Sequence, residues 1–321
     1  MGAADVVPGV SGGTIAFITG IYEELIESIK SLNAEALRIL FKEGIPAFWK
    51  HINGAFLLSL FGGIAVSVLT LSKVISYFLL NEPVLLWSFF FGLVLASIFL
   101  IAKEISEWKS RVILAIALGT IISFYITIAT PTHSPEATPF LFLYGFLAII
   151  AMILPGISGA FILLLLGAYS TVIQILNEFR QALSPFNIDA IGYYGLKILV
   201  FILGCLIGLM AFSRILSWMF KNYKNTTLAL LTGFMIGSLN KIWPWKETLI
   251  SRLAHEGKPN EAIVPFIQEN VLPWNFEQLN DVEKMLSVVP VKDPQMLAAV
   301  MLMTAGVLVI IILNKYSPEN V

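Results

Sequence analysis

Hydrophobic residues occupy the chain in long unbroken stretches, and polar residues are gathered in the segments between them. A helix needs about 20 consecutive apolar residues to cross the hydrocarbon core of a membrane. Lipid offers the backbone no hydrogen-bond partners, so stretches of this kind must be helical. The pattern therefore predicts six membrane-spanning helices, at residues 52–80, 83–101, 111–130, 193–220, 226–242 and 295–313.

Two further apolar stretches, 1–22 and 140–176, are each interrupted by the motif Pro-Gly-x-Ser-Gly. Proline stops a helix and glycine lets the backbone turn, so each stretch is predicted to break at its motif. The limb before the second break, 140–154, would be about 22 Å long, short of the roughly 30 Å hydrocarbon core. The segments on both sides of 140–176 are poor in Lys and Arg, which indicates that both limbs enter and leave on one face. We predict re-entrant hairpins over residues 1–30 and 138–176.

The composition requires a membrane environment. Hydrophobic residues make up 57% of the 321 residues and charged residues 13%, about half the charged share of a soluble protein. A net charge of −1 provides no basic surface for nucleic acid. A single cysteine, Cys205, excludes an internal disulfide and a cysteine-based metal site. The three histidines match no metal-ligand spacing, so neither a metal nor another cofactor is expected.

The distribution of Lys and Arg predicts the orientation of the chain. Ten basic residues lie in the segments on one side of the predicted spans: Lys30, Arg38, Lys42, Lys50, Lys103, Lys109, Arg111, Lys221, Lys224 and Lys315. The alternating segments hold few, so the positive-inside rule places these ten residues and both termini in the cytoplasm. The long segment 240–294 then falls outside. We expect it to form a solvated cap without assignable chemistry, with a surface helix at 280–289.

An internal repeat links the two halves of the chain. The stretch VPGVSGGTIAFITGIY at residues 7–22 returns as LPGISGAFILLLLGAY at residues 154–169. Two further stretches return in the same order, 72–76 as 213–217 and 92–97 as 233–238. Each copy comprises a hairpin and three spans, and because three is odd, the second copy inserts upside down relative to the first. The sequence thus predicts an all-α polytopic protein of two inverted repeats, residues 1–130 and 131–321, which is typical of secondary transporters.

The restart of a helix after each motif is a candidate anion-binding site. Ser and Thr are favoured N-caps. A helix that starts within the membrane presents unpaired N–H groups and the positive end of its dipole. The predicted anion-binding residues at the two hairpin tips are Ser11, Gly12, Gly13, Thr14, Ser158 and Gly159. The alternative is a simple kink, or close helix packing through small residues.

Three ionisable residues lie inside apolar stretches. Lys73 and Arg214 occupy equivalent repeat positions, and such a pair suits an anionic head group met from either membrane face. Arg214 is the stronger candidate because a guanidinium can bind a phosphate through two hydrogen bonds. The alternative for both is that the side chain reaches to the nearest membrane surface. Asp5, the only acid in a motif limb, is a candidate for proton coupling, for pairing with a basic residue, or for a frayed chain start.

Aromatic and acidic residues follow the motifs. Tyr22 and Tyr169 end the two copies, where aromatic side chains typically anchor a helix at the membrane surface. Glu23, Glu24 and Glu27 lie directly after Tyr22 and are expected to form a solvated cytoplasmic helix face.

The two motif regions resemble the signatures of a known family. GAADVVPGVSGGTIA at residues 2–16, with GIYE at residues 20–23, is similar to the opening signature of the bacterial polyprenyl-phosphate transporter family, and LPGISGAF at residues 154–161 is similar to its second signature. The resemblance implies a protein of the bacterial cytoplasmic membrane that binds undecaprenyl phosphate. It further implies return of this lipid from the outer to the inner leaflet, so that synthesis of cell-envelope polymers can reuse it.

Two other functions compete with this expectation. An anion channel or exchanger is the first alternative, because the same helix starts also bind halide. A lipid phosphatase would need a nucleophilic histidine with basic and acidic helpers, or a metal cluster. His51 and His133 lie in or beside loops predicted on opposite faces, and His255 lies in the external segment, so we expect no enzyme. Self-association into a homo-oligomer is left open.

Overall fold

The computed structural model describes residues 1–2, 11–129, 138–183, 186–254, 262–276 and 294–315. Its principal helices before residue 240 are α1 (Gly12–Ile18), α2 (Tyr22–Lys30), α3 (Ala34–Glu43), α4 (Ile45–His51), α5 (Gly54–Asn81), α6 (Pro83–Glu104), α7 (Ser110–Ile128), α8 (Thr138–Ile153), α9 (Gly159–Leu165), α10 (Tyr169–Ala182) and α11 (Ile188–Ser238). Two strands, β1 (Lys246–Ala254) and β2 (Ala262–Asn270), and the helix α12 (Met296–Lys315) follow.

Five of these helices, α5, α6, α7, α11 and α12, are long and apolar enough to cross a membrane. The chain is therefore a multi-pass membrane protein. With 51 residues, α11 would measure about 77 Å, far more than one crossing requires. Its backbone leaves helical geometry at Tyr223 (φ −141°, ψ 47°), so two helices meet there. The two predicted spans 193–220 and 226–242 lie on either side of this break. The second helix ends earlier than predicted, at Ser238.

The second hairpin breaks at its Pro-Gly motif, as the sequence predicts. Helix α8 ends at Ile153, and α9 begins at Gly159. The following limb is shorter than expected, because α9 has only seven residues and α10 continues at an angle of 108° to it. Gly167, in the turn between α9 and α10, has a φ of 68°, a conformation that glycine adopts without strain.

Close helix packing through glycines recurs at equivalent positions of the two repeats. In α6, a Cβ atom on Gly92 would overlap the Met303 carbonyl of α12, and in α11 a Cβ atom on Gly233 would overlap the Ile116 carbonyl of α7. From the opposite sides, Gly306 meets the backbone of Phe89 to Leu93, and Gly119 meets the matching backbone of Leu230 to Phe234. In both cases the helix that carries the repeated stretch packs closely against another helix, α6 against α12 and α11 against α7.

The described residues of the segment after α11 are more structured than the predicted solvated cap. Strands β1 and β2 pair antiparallel, so the all-α expectation misses one β-hairpin. Trp245 and Phe276 are buried with Val84 of α6 and Ala299 of α12. The indole N–H of Trp245 donates to the Pro294 carbonyl at 2.9 Å. Apolar packing thus holds Trp245 and Phe276 on the helices, and the prediction of a purely solvated cap is wrong for these two residues. The predicted surface helix 280–289 lies outside the described residues.

Candidate functional site

Ser11 caps the first helix after the first motif and also reaches the second hairpin. Its Oγ accepts a hydrogen bond from the Gly13 N–H at 3.1 Å, as expected of an N-cap. The same hydroxyl donates to the Met152 carbonyl at the end of α8, at 2.8 Å. Ser11 is buried, so one side chain satisfies polar groups of both hairpins away from solvent.

Thr14 makes a second bond between the hairpins. The N–H of Gly156 in the second Pro-Gly motif donates to the Thr14 Oγ1 at 2.9 Å. Gly156 has a φ of 84°, a conformation that favours glycine, and an added Cβ atom would approach the Phe234 carbonyl to 2.8 Å. The backbone of the second motif is thus turned so that the Gly156 N–H points to Thr14.

Glycine brings the two hairpins into backbone contact. A Cβ atom on Gly13 would overlap the Ile153 carbonyl, so any larger residue must push α1 and α8 apart. Gly159 packs within its own hairpin, where a Cβ atom would lie 2.5 Å from the Ala148 carbonyl. Gly12 is buried beside Gly13 in the first turn of α1. Ser158 occupies the N-cap position of α9 but makes no side-chain capping bond there among the described residues.

Tyr22 lies in this contact, and its predicted place at the membrane surface is wrong. The side chain is 1% exposed, and its hydroxyl donates to the Ile153 carbonyl at 3.0 Å. Its ring packs edge-on against Phe17 and Phe220. A buried tyrosine needs a hydrogen-bond partner for its hydroxyl, and the Ile153 carbonyl is that partner. In the sequence, only the place of Tyr22 in the repeat marks it.

The predicted cations are not joined to the hairpin contact by any bond in the described part of the chain. Arg214 is exposed on α11, and its guanidinium donates to the Met210 carbonyl one turn earlier, at 2.8 Å. Lys73 lies in α5, and its side chain is outside the described set, as is all of Asp5. The hairpin contact therefore consists of hydroxyl, N–H and carbonyl groups.

A cluster of charged groups that sequence reasoning missed joins α2 to α11. Glu27 accepts hydrogen bonds from Ser217 and, at 3.3 Å, from Lys30, and its carboxylate lies 3.4 Å from the Lys221 Nζ. Lys30 also donates to Ser217 at 2.8 Å. Burial alone would raise the pKa of Glu27, but the bond from Ser217 and the charges of the two lysines hold it below its ordinary value. The predicted solvated acidic face is thus partly a contact surface.

No group of three metal-ligating side chains could hold an ion within the described ranges. His51 ends α4, while His133 and His255 lie outside those ranges.

Comparison with known proteins bears on this geometry. Residues 1–259 match a family described as undecaprenyl phosphate translocase-like. The chain belongs to this family. It is 44% identical over 319 residues to a protein of Vibrio cholerae named polyprenyl-phosphate transporter, covering 99% of the chain and 94% of that protein. A Staphylococcus aureus protein with the same name is 31% identical over 264 residues, covering 78% of the chain and 85% of that protein.

The family match spans both motifs, the contact between them and the beginning of the segment after α11. The expected resemblance is thereby confirmed. No solved structure matches the chain, so the contacts of this family member are described from its own structure.

Proposed function

We propose that the chain moves a polyprenyl phosphate, undecaprenyl phosphate above all, from the outer to the inner leaflet of the bacterial cytoplasmic membrane, with both termini in the cytoplasm. The observation that carries the proposal is the direct contact of the helix after the first motif with the second hairpin, through Ser11, Thr14 and Gly156. Interrupted helices that meet inside a membrane are typical of the substrate sites of secondary transporters. The names of the two relatives supply the substrate class.

The proposal includes the inverted repeat. Its support is the reciprocal packing of Gly92 on α12 and Gly233 on α7, since these two glycines are equivalent in the two copies. Two structural repeats of opposite orientation can exchange roles on the two faces of a membrane. Such an exchange is one route to alternating access.

The phosphate is proposed to bind at the hairpin tips, to Ser11, Gly12, Gly13, Thr14, Ser158 and Gly159. In the described structure the Ser11 hydroxyl and the Gly156 N–H donate across the hairpin contact. A phosphate has strong acceptor oxygens that can take over such donors. The substrate would therefore bind as the two hairpins separate, and the bonds re-form after it leaves.

Arg214 and Lys73 are proposed to accompany the phosphate from the lipid side. Among the described residues, the exposed guanidinium of Arg214 bonds only to a carbonyl of its own helix, which it can release for a phosphate. Replacing Arg214 with Ala should weaken the interaction by roughly 1.5–3 kcal/mol, and Arg214→Lys should restore it in part. Unchanged transport by Arg214→Ala excludes this role.

Asp5 is proposed to couple transport to protons. A phosphate monoester carries about −1.5 to −2 charges, and moving it towards a negative interior costs about 2.3 kcal/mol per charge per 100 mV. A proton that travels with the phosphate offsets part of this cost. Transport under an imposed pH gradient should therefore lose its gradient response in Asp5→Asn. A full response in this variant rules Asp5 out as the proton carrier.

Phosphatase accessibility tests the main proposal. Labelled undecaprenyl phosphate is incorporated into vesicles with the purified chain, and a phosphatase is added outside. We expect all the lipid to become accessible with the wild-type chain, but only the outer-leaflet share with Gly12→Leu or Gly159→Leu. Gly62→Leu is the control, because Gly62 has open space around it. Halide flux without lipid movement would favour the anion channel, and loss of phosphate before the phosphatase is added would reveal an enzyme.

A further inference from the structure

A cavity of about 420 Å³ lies where α11 ends, between α7, α9 and the β-hairpin. Its volume falls within the range of small-molecule binding sites. One wall is apolar and contains Ile128 of α7 and Leu164 and Leu165 of α9. The other wall contains Lys241, Lys246 and amide side chains of the external segment. The sequence places this end of the molecule outside the cytoplasm.

The two lysines are held in place by aromatic rings and a carbonyl. The Lys246 Nζ lies 3.8 Å from the ring centre of Trp87 and donates to the Lys241 carbonyl at 2.6 Å. The Lys241 Nζ lies 4.3 Å from the ring centre of Phe161 in the second hairpin. Phe161 is the repeat equivalent of Thr14, so this cavity adjoins the same hairpin that contacts the first motif.

Neither ammonium group has a negative partner in the described part of the chain. Glu269 lines the same cavity but forms no ion pair with either lysine. Burial lowers the pKa of Lys241, and burial together with the charge of Lys241 lowers the pKa of Lys246. Both lysines are half-buried, and two like charges at such a site are favourable only when an anion joins them; without an anion, the lowered pKa values favour loss of a proton.

The walls indicate which anion would fit. A free inorganic anion needs only the cationic wall, whereas a phosphate monoester on a hydrocarbon chain uses both walls. Its phosphate carries about −1.5 to −2 charges, enough to neutralise two lysines. The apolar wall formed by α7 and α9 would receive the first part of the hydrocarbon chain.

We propose that this cavity, with Lys241 and Lys246 at its polar wall, binds the phosphate monoester head group of a lipid as an outer docking site that precedes the hairpin tips. The identity of the lipid rests on the proposed function. The docking site is separate from Ser11 and Thr14, because a different set of residues forms it.

Binding to the full chain in lipid nanodiscs tests the docking site. Three probes are compared: undecaprenyl phosphate, undecaprenol without phosphate, and inorganic phosphate. The variants are Lys241→Gln and Lys246→Met, alone and combined. The control is Lys197→Gln, because the Lys197 Nζ also lies over an aromatic ring, 4.4 Å from the centre of Tyr193, but not in the cavity. Thermal unfolding without lipid checks the fold, and Lys246→Met should change the melting temperature little, because it replaces a half-buried ammonium that has no counterion with an apolar side chain of similar length.

The double variant should bind undecaprenyl phosphate at least about tenfold more weakly, the effect of losing charge-assisted hydrogen bonds, and Lys197→Gln should bind as the wild type does. Undecaprenol should bind weakly to every variant. Wild-type affinity for inorganic phosphate that matches the affinity for the lipid would overturn the lipid head group as the ligand, while weaker binding of inorganic phosphate supports it. Equal lipid binding by the double variant and the wild type also overturns the docking site.

Translocation measured on the same preparations separates this inference from the proposed function. Wild-type translocation with lysine-independent binding overturns only the docking site. Lysine-dependent binding without translocation supports the docking site and overturns the proposed function. If the chain shows neither lysine-dependent binding nor translocation, the docking site and the proposed function are both overturned.

Discussion

Charged side chains form ion pairs at one end of the molecule, whereas at the other end two lysines lie without such pairs among the described residues. At the end predicted to face the cytoplasm, Glu27 is shared by Lys30, Lys221 and Ser217. At the other end, Lys241 and Lys246 lie in a cavity with no ion pair among the described residues. Paired charges join α2 to α11, whereas charges without partners are available to a ligand. The difference separates a contact that stabilises the protein from a site that attracts an anion.

The largest expected effect comes from the hairpin contact between the two ends. Gly13→Ala would place a Cβ atom into the Ile153 carbonyl, and overpacking of this kind lowers the free energy of unfolding by about 1–3 kcal/mol. Separated hairpins should also lose translocation, measured by phosphatase accessibility. Gly63→Ala is the control, since nothing lies near its added Cβ atom. Equal translocation by Gly13→Ala and Gly63→Ala would show that this close contact is not needed for transport.

A new carboxylate in the cavity should make its end of the molecule resemble the end that holds Glu27. Gln268→Glu is nearly isosteric and adds a negative charge to the cavity lining. We expect it to weaken binding of undecaprenyl phosphate about fivefold, with a smaller effect at high salt, because screening shortens the reach of an exposed charge. The control is Gln181→Glu, at an exposed position of α10. Tighter binding by Gln268→Glu would contradict the assignment of an anion to this cavity.

Removing Glu27 should weaken the contact between α2 and α11. Glu27→Ala leaves Lys30, which is 33% exposed, without its carboxylate. We expect a loss of about 1 kcal/mol in the free energy of unfolding, because the carboxylate is 44% exposed and water screens it. Glu107→Ala removes an exposed pair with Lys109 and should have no measurable effect in chemical denaturation. Identical losses for the two variants would mean that the Glu27 cluster stabilises the fold no more than an exposed ion pair does.

The smallest expected effect is a pH dependence. Because the pKa of Glu27 in the folded protein lies below its ordinary value of 4.5, its ion pairs contribute fully above pH 4.5. The contribution is lost as the pH falls below that value and the carboxylate is protonated. Thermal unfolding of the wild type should therefore lose a little more stability on acidification than that of Glu27→Gln, by less than about 1 kcal/mol. Parallel curves for the two proteins would contradict this.

The features that follow local rules could be predicted from the sequence. Apolar length predicts the helices, Pro155 and Gly156 predict the break after α8, and Ser11 follows the preference of serine for an N-cap. The hydrogen bond of Tyr22 could not be predicted, since its acceptor, Ile153, lies in the other repeat.

The cavity that contains Lys241 and Lys246 could not be predicted from the sequence either. The sequence places Lys241 at the end of the predicted span 226–242 and Lys246 just beyond it, and only the folded chain brings them against Phe161 and Trp87. The sequence also divides α11 into two separate spans, although the polar residues between them are compatible with helix. Only the backbone of Tyr223 departs from helical geometry there.

The reciprocal packing of the repeats has a consequence for how the protein is made. The glycine face of α6 receives its partner, α12, only after roughly 190 further residues have been synthesised, which takes about 10–40 s at 5–20 residues per second. During that time Gly92 faces lipid or the insertion machinery. Helix α7 likewise waits for the second half of α11. Neither half can complete its packing alone, so assembly in the membrane finishes only when the ribosome has delivered the last described helix.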